Sequence, residues 1–384
     1  MIGISFQAMR KTTGRRRPPF LFGVNGVFAR HAAAFFQKQL VSRVHLMVYF
    51  FCSHAGLAPG DHFAKERCVP PMKGNILRWC LAVLMLLAMA LFLSSPAVAE
   101  VTPLGMDLKV HGVPPRESGW LSDTEYQDES IHIVMDSEKR KPPSSESQVM
   151  CRWVVIDIAD PSQLRTTLSN ESYDDVTLER PWEMAQRVNA VVACNSDFIK
   201  FSYNVGFVVR QGVFYRDALD GNRDVLIIDN NGDFEAVQKA TSEDMAAKRQ
   251  EIENDGRQIV NAFCFGPVLV RNGEAQELAL NKFEKDQVEG HLPTQRIAIC
   301  QLDTLKYAIV EVDGGVVDGS GMNGMNLKEL TKLILLLFPD CKLAYNLDGG
   351  GSAHLMLRGK PVHRTPGSRH ISDLIYFASA VSEE

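Results

Sequence analysis

The sequence predicts an α+β fold, a single domain in which mixed or largely antiparallel β-sheets are flanked by a few helices. Short apolar runs typical of strands outnumber helical patterns along the chain. Several of these runs are separated by local turns, among them Asn231-Gly232 and Asn272-Gly273. Asn-Gly between apolar runs is the strongest short-range signal of a β-hairpin. Because hairpins outnumber crossover connections, we expect the sheets to be mainly antiparallel.

The strand patterns begin after residue 150. The first covers residues 151–158 and ends at the turn Asp160-Pro161. Each later pattern is likewise a short apolar run bounded by turn residues. The later patterns lie at residues 190–194, 206–210, 212–215, 225–229, 268–271, 297–302, 307–312, 343–347, 353–357 and 373–380.

Helical patterns are fewer, at residues 180–188, 241–252 and 326–337. The first has a proline near its first turn, and the second is charged and expected to be exposed. In the third, leucines recur at helical spacing and the pattern ends before Pro339. That combination predicts an amphipathic helix packed on the core.

The residues before position 100 are not expected to belong to the folded domain. Residues 1–71 contain ten Lys and Arg against two acidic residues, a net charge of +8. Residues 72–99 have the pattern of a secretory signal peptide: a short charged start, an apolar run at 79–93, and Ala97-Val98-Ala99 as a cleavage site. The apolar run is short for a membrane span, which needs roughly 20 residues.

Two interpretations of this arrangement remain open. Since a signal peptide almost never begins at residue 72, residues 1–71 are expected to be a spurious or disordered extension, with the later chain periplasmic or secreted. The alternative is a cytoplasmic tail on an uncleaved signal anchor, with the later chain membrane-anchored outside the cytoplasm. Residues 100–149 are polar and proline-rich, so we expect a loosely structured lead-in to a domain at 150–384.

Composition limits the partners of the expected mature chain. It holds 29 Lys and Arg against 44 Asp and Glu, so its charge is about −15. This acidity disfavours broad binding to anionic polymers, and we expect no nucleic-acid partner and no membrane contact beyond an uncleaved signal segment. Its five cysteines, Cys151, Cys194, Cys264, Cys300 and Cys341, include no CxxC pair, so a structural zinc site is not expected. No cofactor and no metal ligand are predicted from the sequence, and metal dependence stays open. One disulfide remains open, without an assigned pair.

The segment from Ala344 to His354 is the most informative of the chain. A buried strand delivers Asp348 to three successive glycines, Gly349, Gly350 and Gly351, and Ser352 follows them. Only glycine adopts positive φ freely and allows another group close to the backbone. We therefore expect a carboxylate held beside bare N–H groups at the rim of a sheet. A simple strand-to-strand turn is the alternative interpretation.

Three further polar clusters adjoin the ends of strands. Asn195 and Asp197 follow the strand at 190–194, and Asp313 ends the strand at 307–312. A basic segment that includes Arg369 comes soon after the triglycine turn. Any one of these clusters is compatible with a turn, since Asp-Gly is a favoured turn pair. Three carboxylates at three strand ends, however, favour a common site.

From about Cys151 to Ser382 the chain resembles the phosphodiester glycosidase family. The most specific motif is the run from Asn346 to Ser352, and the others occur in the family's order. Those motifs are residues 195–198, 265–270, 296–299, 312–314 and 320–322. The resemblance implies a single catalytic domain that hydrolyses the bond between the anomeric carbon of a sugar and a bridging phosphate.

The resemblance, together with the chemistry of the clusters, predicts the roles of the site residues. Asp348 is expected to face the anomeric carbon as nucleophile or base, with Asp313 or Asp197 as its partner. The predicted ligands of the phosphate and sugar are two arginines, an amide, a hydroxyl and an anion nest of glycine N–H groups. These ligands are Arg296, Arg369, Asn195, Ser352 and Gly349–Gly351. Arg296 has a second interpretation, as a structural ion-pair partner.

Other chemistries fit less well. Ser352 is not in a G-x-S-x-G elbow, because His354 stands where the last glycine belongs. No Gly-Lys-Ser/Thr follows the glycines, which argues against a P-loop. A calcium loop at residues 313–319 lacks the terminal glutamate. The remaining rival is a non-catalytic envelope protein that binds phosphorylated glycans through the same pocket.

Overall fold

The computed structural model describes residues 101–199, 205–278, 280–316, 322–365 and 367–381. The predicted extension at 1–71 and the predicted signal peptide at 72–99 lie outside the described residues. All described residues belong to one unit, Pro96–Glu384.

The described residues form strands and α-helices with the following bounds. The strands are β1 (Trp120–Ser122), β2 (Glu125–Gln127), β3 (Ile131–Arg140), β4 (Val149–Ile158), β5 (Leu164–Leu168), β6 (Ala190–Asn195), β7 (Gly206–Arg210), β8 (Val213–Ala218), β9 (Asp220–Asp229), β10 (Phe234–Thr241), β11 (Ile259–Phe263), β12 (Val268–Arg271), β13 (Glu274–Ala275), β14 (Arg296–Asp303), β15 (Lys306–Val312), β16 (Gly315–Val316), β17 (Met322–Asn323), β18 (Leu343–Asn346), β19 (Leu355–Leu357), β20 (Lys360–Pro361) and β21 (Asp373–Ala378). The helices are α1 (Pro181–Arg187), α2 (Ser242–Asn254), α3 (Lys282–Asp286) and α4 (Leu327–Leu337).

Three sheets carry the fold, and every neighbouring pair of strands in them is antiparallel. The main sheet has nine strands in the order β1-β2-β3-β4-β15-β14-β18-β12-β13. The second sheet has the order β20-β19-β6-β21-β5. The third has the order β10-β9-β11-β7-β8. The predicted α+β class with largely antiparallel sheets is confirmed.

The centre of the main sheet is buried on both faces. Successive side chains of a strand point to opposite faces, so β14 sends Ile297 and Ile299 to one core and Ala298 and Cys300 to another. The first core also contains residues of the second and third sheets, so it joins all three. The other core lies under α4, whose buried leucines pack on the small side chains of the sheet.

Residues 120–140 differ from the expected loose lead-in. Strand β3 pairs with β4 along its whole length and extends the main sheet at one edge. Tyr126, Ile131 and Ile133 are buried in the first core. The sequence hides this strand because only its first residues are apolar, while its later residues face solvent and are polar. The folded domain therefore begins well before residue 150.

Candidate functional site

A cavity of about 110 Å³ lies where the three sheets meet. Its walls combine two carboxylates, three arginines and three aromatic rings with smaller side chains. The lining residues are Asp197, Phe198, Ile199, Val205, Arg216, Arg223, Cys264, Phe265, Phe283, Gln287, Asp348 and Arg369. Two of the three carboxylates predicted from the sequence, Asp197 and Asp348, therefore face the same cavity.

Asp348 is placed by the end of β18 and by the glycine turn that follows. Its backbone N–H donates to the carbonyl of Ser196, at 3.0 Å, and so ties β18 to the end of β6. Residues Gly350–Ser352 form one 3-10 turn, in which Gly350 has φ of 58°. A Cβ on Gly351 would lie 2.2 Å from the carbonyl oxygen of Gly367, so only glycine fits there. The predicted turn with close backbone approach is observed.

The surroundings of the Asp348 carboxyl disfavour its charge. Burial raises the pKa of Asp348 to about 7, and the nearby carboxylates of Asp197 and Asp373 act in the same direction. A hydrogen bond from Ser352 and the positive charge of Arg369 partly oppose this rise in pKa. Asp348 therefore titrates near neutral pH, which suits a general base or nucleophile.

Asp197 is held more firmly than Asp348. Its carboxylate accepts hydrogen bonds from the backbone N–H groups of Cys264, at 2.9 Å, and Phe265, at 3.0 Å. Nη2 of Arg210 donates to it at 3.2 Å, and the same guanidinium bonds Asp373. Burial raises the pKa of Asp197 to about 6, against the lowering effect of Arg210.

Three arginines face the cavity, and only one of them was predicted. Arg369 lies beside the triglycine turn, because its backbone N–H donates to the carbonyl of Gly351 at 2.9 Å. Arg216 donates to the carbonyl of Ile199 at 3.0 Å, and Arg223 lies 3.9 Å over the ring of Phe283. Arg216 and Arg223 come from β8 and β9, which are consecutive in sequence but separated by two strands in the third sheet. A charged residue on such a strand ordinarily indicates only a solvated face.

Arg296 does not face this cavity. It is 1% exposed, and its guanidinium donates to the backbone carbonyls of Met325, Val288, Glu289 and Leu292. The prediction of a phosphate clamp at Arg296 is therefore not met, because carbonyls of the loops around it use its donors. Its alternative interpretation as a structural residue agrees with these contacts, with carbonyls in place of a carboxylate. Burial lowers the pKa of Arg296 to about 10.

Asn195 and His354 position the turn instead of facing ligand. Nδ2 of Asn195 donates to the carbonyl of Asp348 at 2.7 Å, and its Oδ1 accepts from the N–H of His354 at 3.0 Å. The ring of His354 contacts the carbonyl of Ser352 and the hydroxyl of Ser368, at 2.9 and 2.8 Å. It thus links the glycine turn to the segment that carries Arg369. Both side chains are buried, so the predicted sugar contact of Asn195 is replaced by a positioning role.

Asp313 lies apart from Asp197 and Asp348. It accepts hydrogen bonds from Arg152, at 2.8 and 3.2 Å, and lines a second cavity that shares no lining residue with the first. The separation follows from the sheet order. Strands β15 and β18 are both antiparallel to β14, so Asp313 and Asp348 lie at the same end of the sheet. Because β14 lies between those two strands, their ends are two strand spacings, or about 10 Å, apart.

Potential metal ligands occur beside Asp313. Glu311, Asp313 and His363 each offer one ligand atom, and these atoms lie within 4.8 Å of one another.

Among the described residues no helix is long and apolar enough to cross a membrane. The five cysteines after residue 99 are free and buried.

Comparison with known proteins gives a family match for part of the chain and a shared fold. The phosphodiester glycosidase family model matches residues 188–378. Among solved structures, the chain is similar to the zebrafish N-acetylglucosamine-1-phosphodiester α-N-acetylglucosaminidase catalytic domain, auto-inhibited by its pro-peptide. That likeness has 17% identity and a TM-score of 0.51, and it covers 74% of this chain and 99% of the zebrafish chain.

A hypothetical protein from Synechocystis is also similar, at 15% identity and a TM-score of 0.44, with 65% of this chain and 62% of that chain covered. No curated protein matches the sequence. At 17% identity the likeness to the zebrafish domain establishes a shared fold alone. The phosphodiester glycosidase family model matches residues 188–378, and over that part of the chain the resemblance indicated by the motifs is confirmed.

Proposed function

We propose that the chain is an extracytoplasmic hydrolase that cleaves the glycosidic bond of a sugar-1-phosphodiester in a glycan or glycoconjugate. The main support for this function is that Asp348 and Asp197 line one cavity together with three arginines, Arg216, Arg223 and Arg369. Carboxylates are the groups that assist a reacting anomeric carbon, and arginines are the groups that bind phosphate. The family match supports the same chemistry.

The reaction breaks the bond between the anomeric carbon and the phosphate oxygen, and it forms a bond from that carbon to the oxygen of water. The leaving phosphate monoester keeps the electron pair of the broken bond. Asp348 either removes a proton from the attacking water or attacks the carbon itself and is then displaced by water. Phosphate is already a good leaving group, so its protonation matters less than in an ordinary glycosidase.

The other charged groups have complementary roles in this proposal. Asp197 is fixed by three donors, and its charge would stabilise the positive charge that develops on the sugar ring. Arg369, Arg216 and Arg223 would hold the phosphate, which stays anionic throughout. The aromatic ring of Phe283, already stacked with Arg223, offers an apolar wall for the sugar.

The extracytoplasmic location rests on the signal-peptide pattern at residues 72–99. It predicts that expression of the complete gene in a bacterium yields a shortened chain outside the cytoplasm. N-terminal sequencing of that chain would locate the start of the mature protein. An N-terminus after Ala99 supports cleavage, and a full-length, membrane-bound chain supports the signal-anchor alternative.

Release of free sugar tests the activity. The purified chain is incubated with a methyl phosphodiester of N-acetylglucosamine-1-phosphate, and with the methyl glycoside that lacks phosphate as the control. We expect sugar and methyl phosphate from the first compound and no reaction with the second, and Asp348→Asn should abolish the release. Binding of the phosphodiester without release would favour the non-catalytic glycan-binding protein, and cleavage of the plain glycoside would contradict a phosphate-specific site.

A further inference from the structure

A second cluster of charged side chains lies at the end of β15, outside the proposed active site. Glu311 and Asp313 are two residues apart, so both side chains lie on one face of the extended chain. Arg152 is directly opposite Glu311 on β4. His363, from the segment after β20, completes the cluster. It borders a cavity of about 380 Å³ that Lys139 and Arg364 also line.

The distances within the cluster are those of ligands around a common ion. Nε2 of His363 lies 2.8 Å from Oδ1 of Asp313 and 3.3 Å from Oε1 of Glu311. For ligand atoms about 2.0–2.2 Å from a metal, separations of about 2.8–3.6 Å follow from octahedral or tetrahedral geometry. Both measured separations fall in that range.

The hydrogen-bond partners of these groups also indicate a bound ion. Despite the short distances, neither ring nitrogen of His363 makes a hydrogen bond of suitable geometry. Oε1 of Glu311 is likewise without a partner, although the Glu311 side chain is 0% exposed. A buried carboxylate oxygen left without a partner is costly. A histidine that served only as an ion-pair donor would direct its N–H at one of these oxygens.

We propose that Glu311, Asp313 and His363 bind one divalent transition-metal ion. The ion lies between Oε1 of Glu311, Oδ1 of Asp313 and Nε2 of His363, and it satisfies two of the three cluster atoms that have no hydrogen-bond partner, the third being Nδ1 of His363. Arg152 is not a ligand. It donates to Oε2 of Glu311 at 2.9 Å and to Oδ1 and Oδ2 of Asp313 at 2.8 and 3.2 Å, and so orients both carboxylates. Each carboxylate oxygen has two lone pairs, so Oδ1 of Asp313 can accept from Arg152 and still bind the ion.

The donor set selects the class of metal. An imidazole nitrogen beside two carboxylates suits Zn²⁺, Mn²⁺ or Co²⁺ better than Ca²⁺ or Mg²⁺, which prefer oxygen ligands alone. Three protein ligands leave a coordination position open for water or an anion. This site is independent of the proposed glycosidase function, since it uses none of the residues of that cavity.

Titration of the purified full chain tests the site. After dialysis against a chelator, Zn²⁺ is added in a calorimeter, and Co²⁺ is added with its visible absorption recorded. We expect one ion per chain and a Co²⁺ spectrum with nitrogen and oxygen ligands. His363→Gln and Glu311→Gln each remove a direct ligand, so each should weaken binding by at least the roughly 10–100-fold that loss of an outer-shell partner costs. The matched control is His132→Gln, because His132 also lies beside a carboxylate, Glu125 at 3.2 Å, and should bind as the wild type does.

Two results would overturn the proposal. The first is the absence of stoichiometric Zn²⁺ and Co²⁺ binding by the wild-type chain, a measurement that requires no variant to fold. The second is unchanged binding in a folded His363→Gln chain, which would place the ion elsewhere. Circular dichroism of each variant identifies the folded ones, and Glu311→Gln replaces His363→Gln if the latter fails to fold.

Discussion

At the scale of single residues, the protonation state of Asp348 governs the proposed reaction. Both of its proposed roles need the charged carboxylate, and burial raises its pKa to about 7. The groups that face it are Asp197 and Asp373, which raise this pKa further, and Ser352 and Arg369, which lower it. An ordinary aspartate, with a pKa near 4, would be fully ionised throughout the neutral range.

The pH dependence of activity follows with a definite sign. As the pH falls below 7, the ionised fraction of Asp348 drops about tenfold for each pH unit. We therefore expect kcat/KM for a sugar-1-phosphodiester to be level above pH 8, to fall below pH 7, and to fall more steeply below pH 6, where Asp197 is protonated as well. An acidic limb centred near pH 4 would show that Asp348 is not the group whose ionisation limits the rate.

Arg369 is the arginine most open to a substrate phosphate. Among the described residues no carboxylate lies within ion-pair distance of its guanidinium, which acts on Asp348 through its charge. A hydrogen bond to a charged group contributes about 1.5–3 kcal/mol, so Arg369→Ala should lower kcat/KM roughly 10–150-fold. Arg369→Lys should lose less, because it keeps the charge but not the paired donors.

The control for this prediction is Arg364→Ala. Arg364 is exposed, belongs to the same basic segment and lines the other cavity. Steady-state rates with the phosphodiester should distinguish the two variants. Equal losses in Arg364→Ala and Arg369→Ala would indicate a general effect of positive charge and not a phosphate contact.

At the scale of elements, the turn at Gly350–Ser352 and the segment after Gly367 form one unit. Gly351→Ala would bring a Cβ to 2.2 Å from the carbonyl of Gly367, and backbone must move to relieve that contact. We expect a loss of about 1–3 kcal/mol in the free energy of unfolding, together with reduced activity because Arg369 is displaced. Urea unfolding and rate measurements check the two effects separately.

Gly105→Ala is the comparison for this variant. A Cβ there would meet Val110 at an ordinary 3.5 Å, so stability and activity should stay close to wild type. A Gly351→Ala chain that also retains wild-type stability would mean that the two segments can separate without cost, contrary to the close packing described above.

The elements differ in how far they could be predicted from the sequence. The core strands β14, β15 and β18 were predictable because each is a continuous apolar run, and Asp348 because glycines interrupt such a run. Strand β3 was not, since its later residues are polar and face solvent, a pattern that resembles a loop. The same limit applies to the arginines. The carbonyls that bind Arg296 come from residues 288–292 and 325, and no local pattern encodes their approach.

At the scale of the whole molecule, the candidate site depends on contacts between sheets. Asp197 follows β6 of the second sheet, Cys264 follows β11 of the third, and Asp348 follows β18 of the main sheet. Their convergence is set by packing, which explains why Arg216 and Arg223 were not identified from sequence. One fully buried residue, Arg210 on β7, bonds both Asp197 and Asp373 and thereby joins the third sheet to the second.

Arg210 should therefore stabilise the junction of the sheets as well as the site. Removing one partner of a buried ion pair leaves an uncompensated charge, and Arg210→Met leaves two carboxylates in that state. We expect a loss of about 3–5 kcal/mol in the free energy of unfolding, measured in urea. The control is Arg249→Met on α2, whose exposed pair with Glu253 should contribute only about 0.3–0.5 kcal/mol. The double variant Arg210→Met/Asp373→Asn should recover part of the lost free energy of unfolding, because it removes one of the two carboxylates left without a cation. Additive losses in the double variant would show that Arg210 acts through packing, for example against Phe263 at 4.3 Å, and not through its charge.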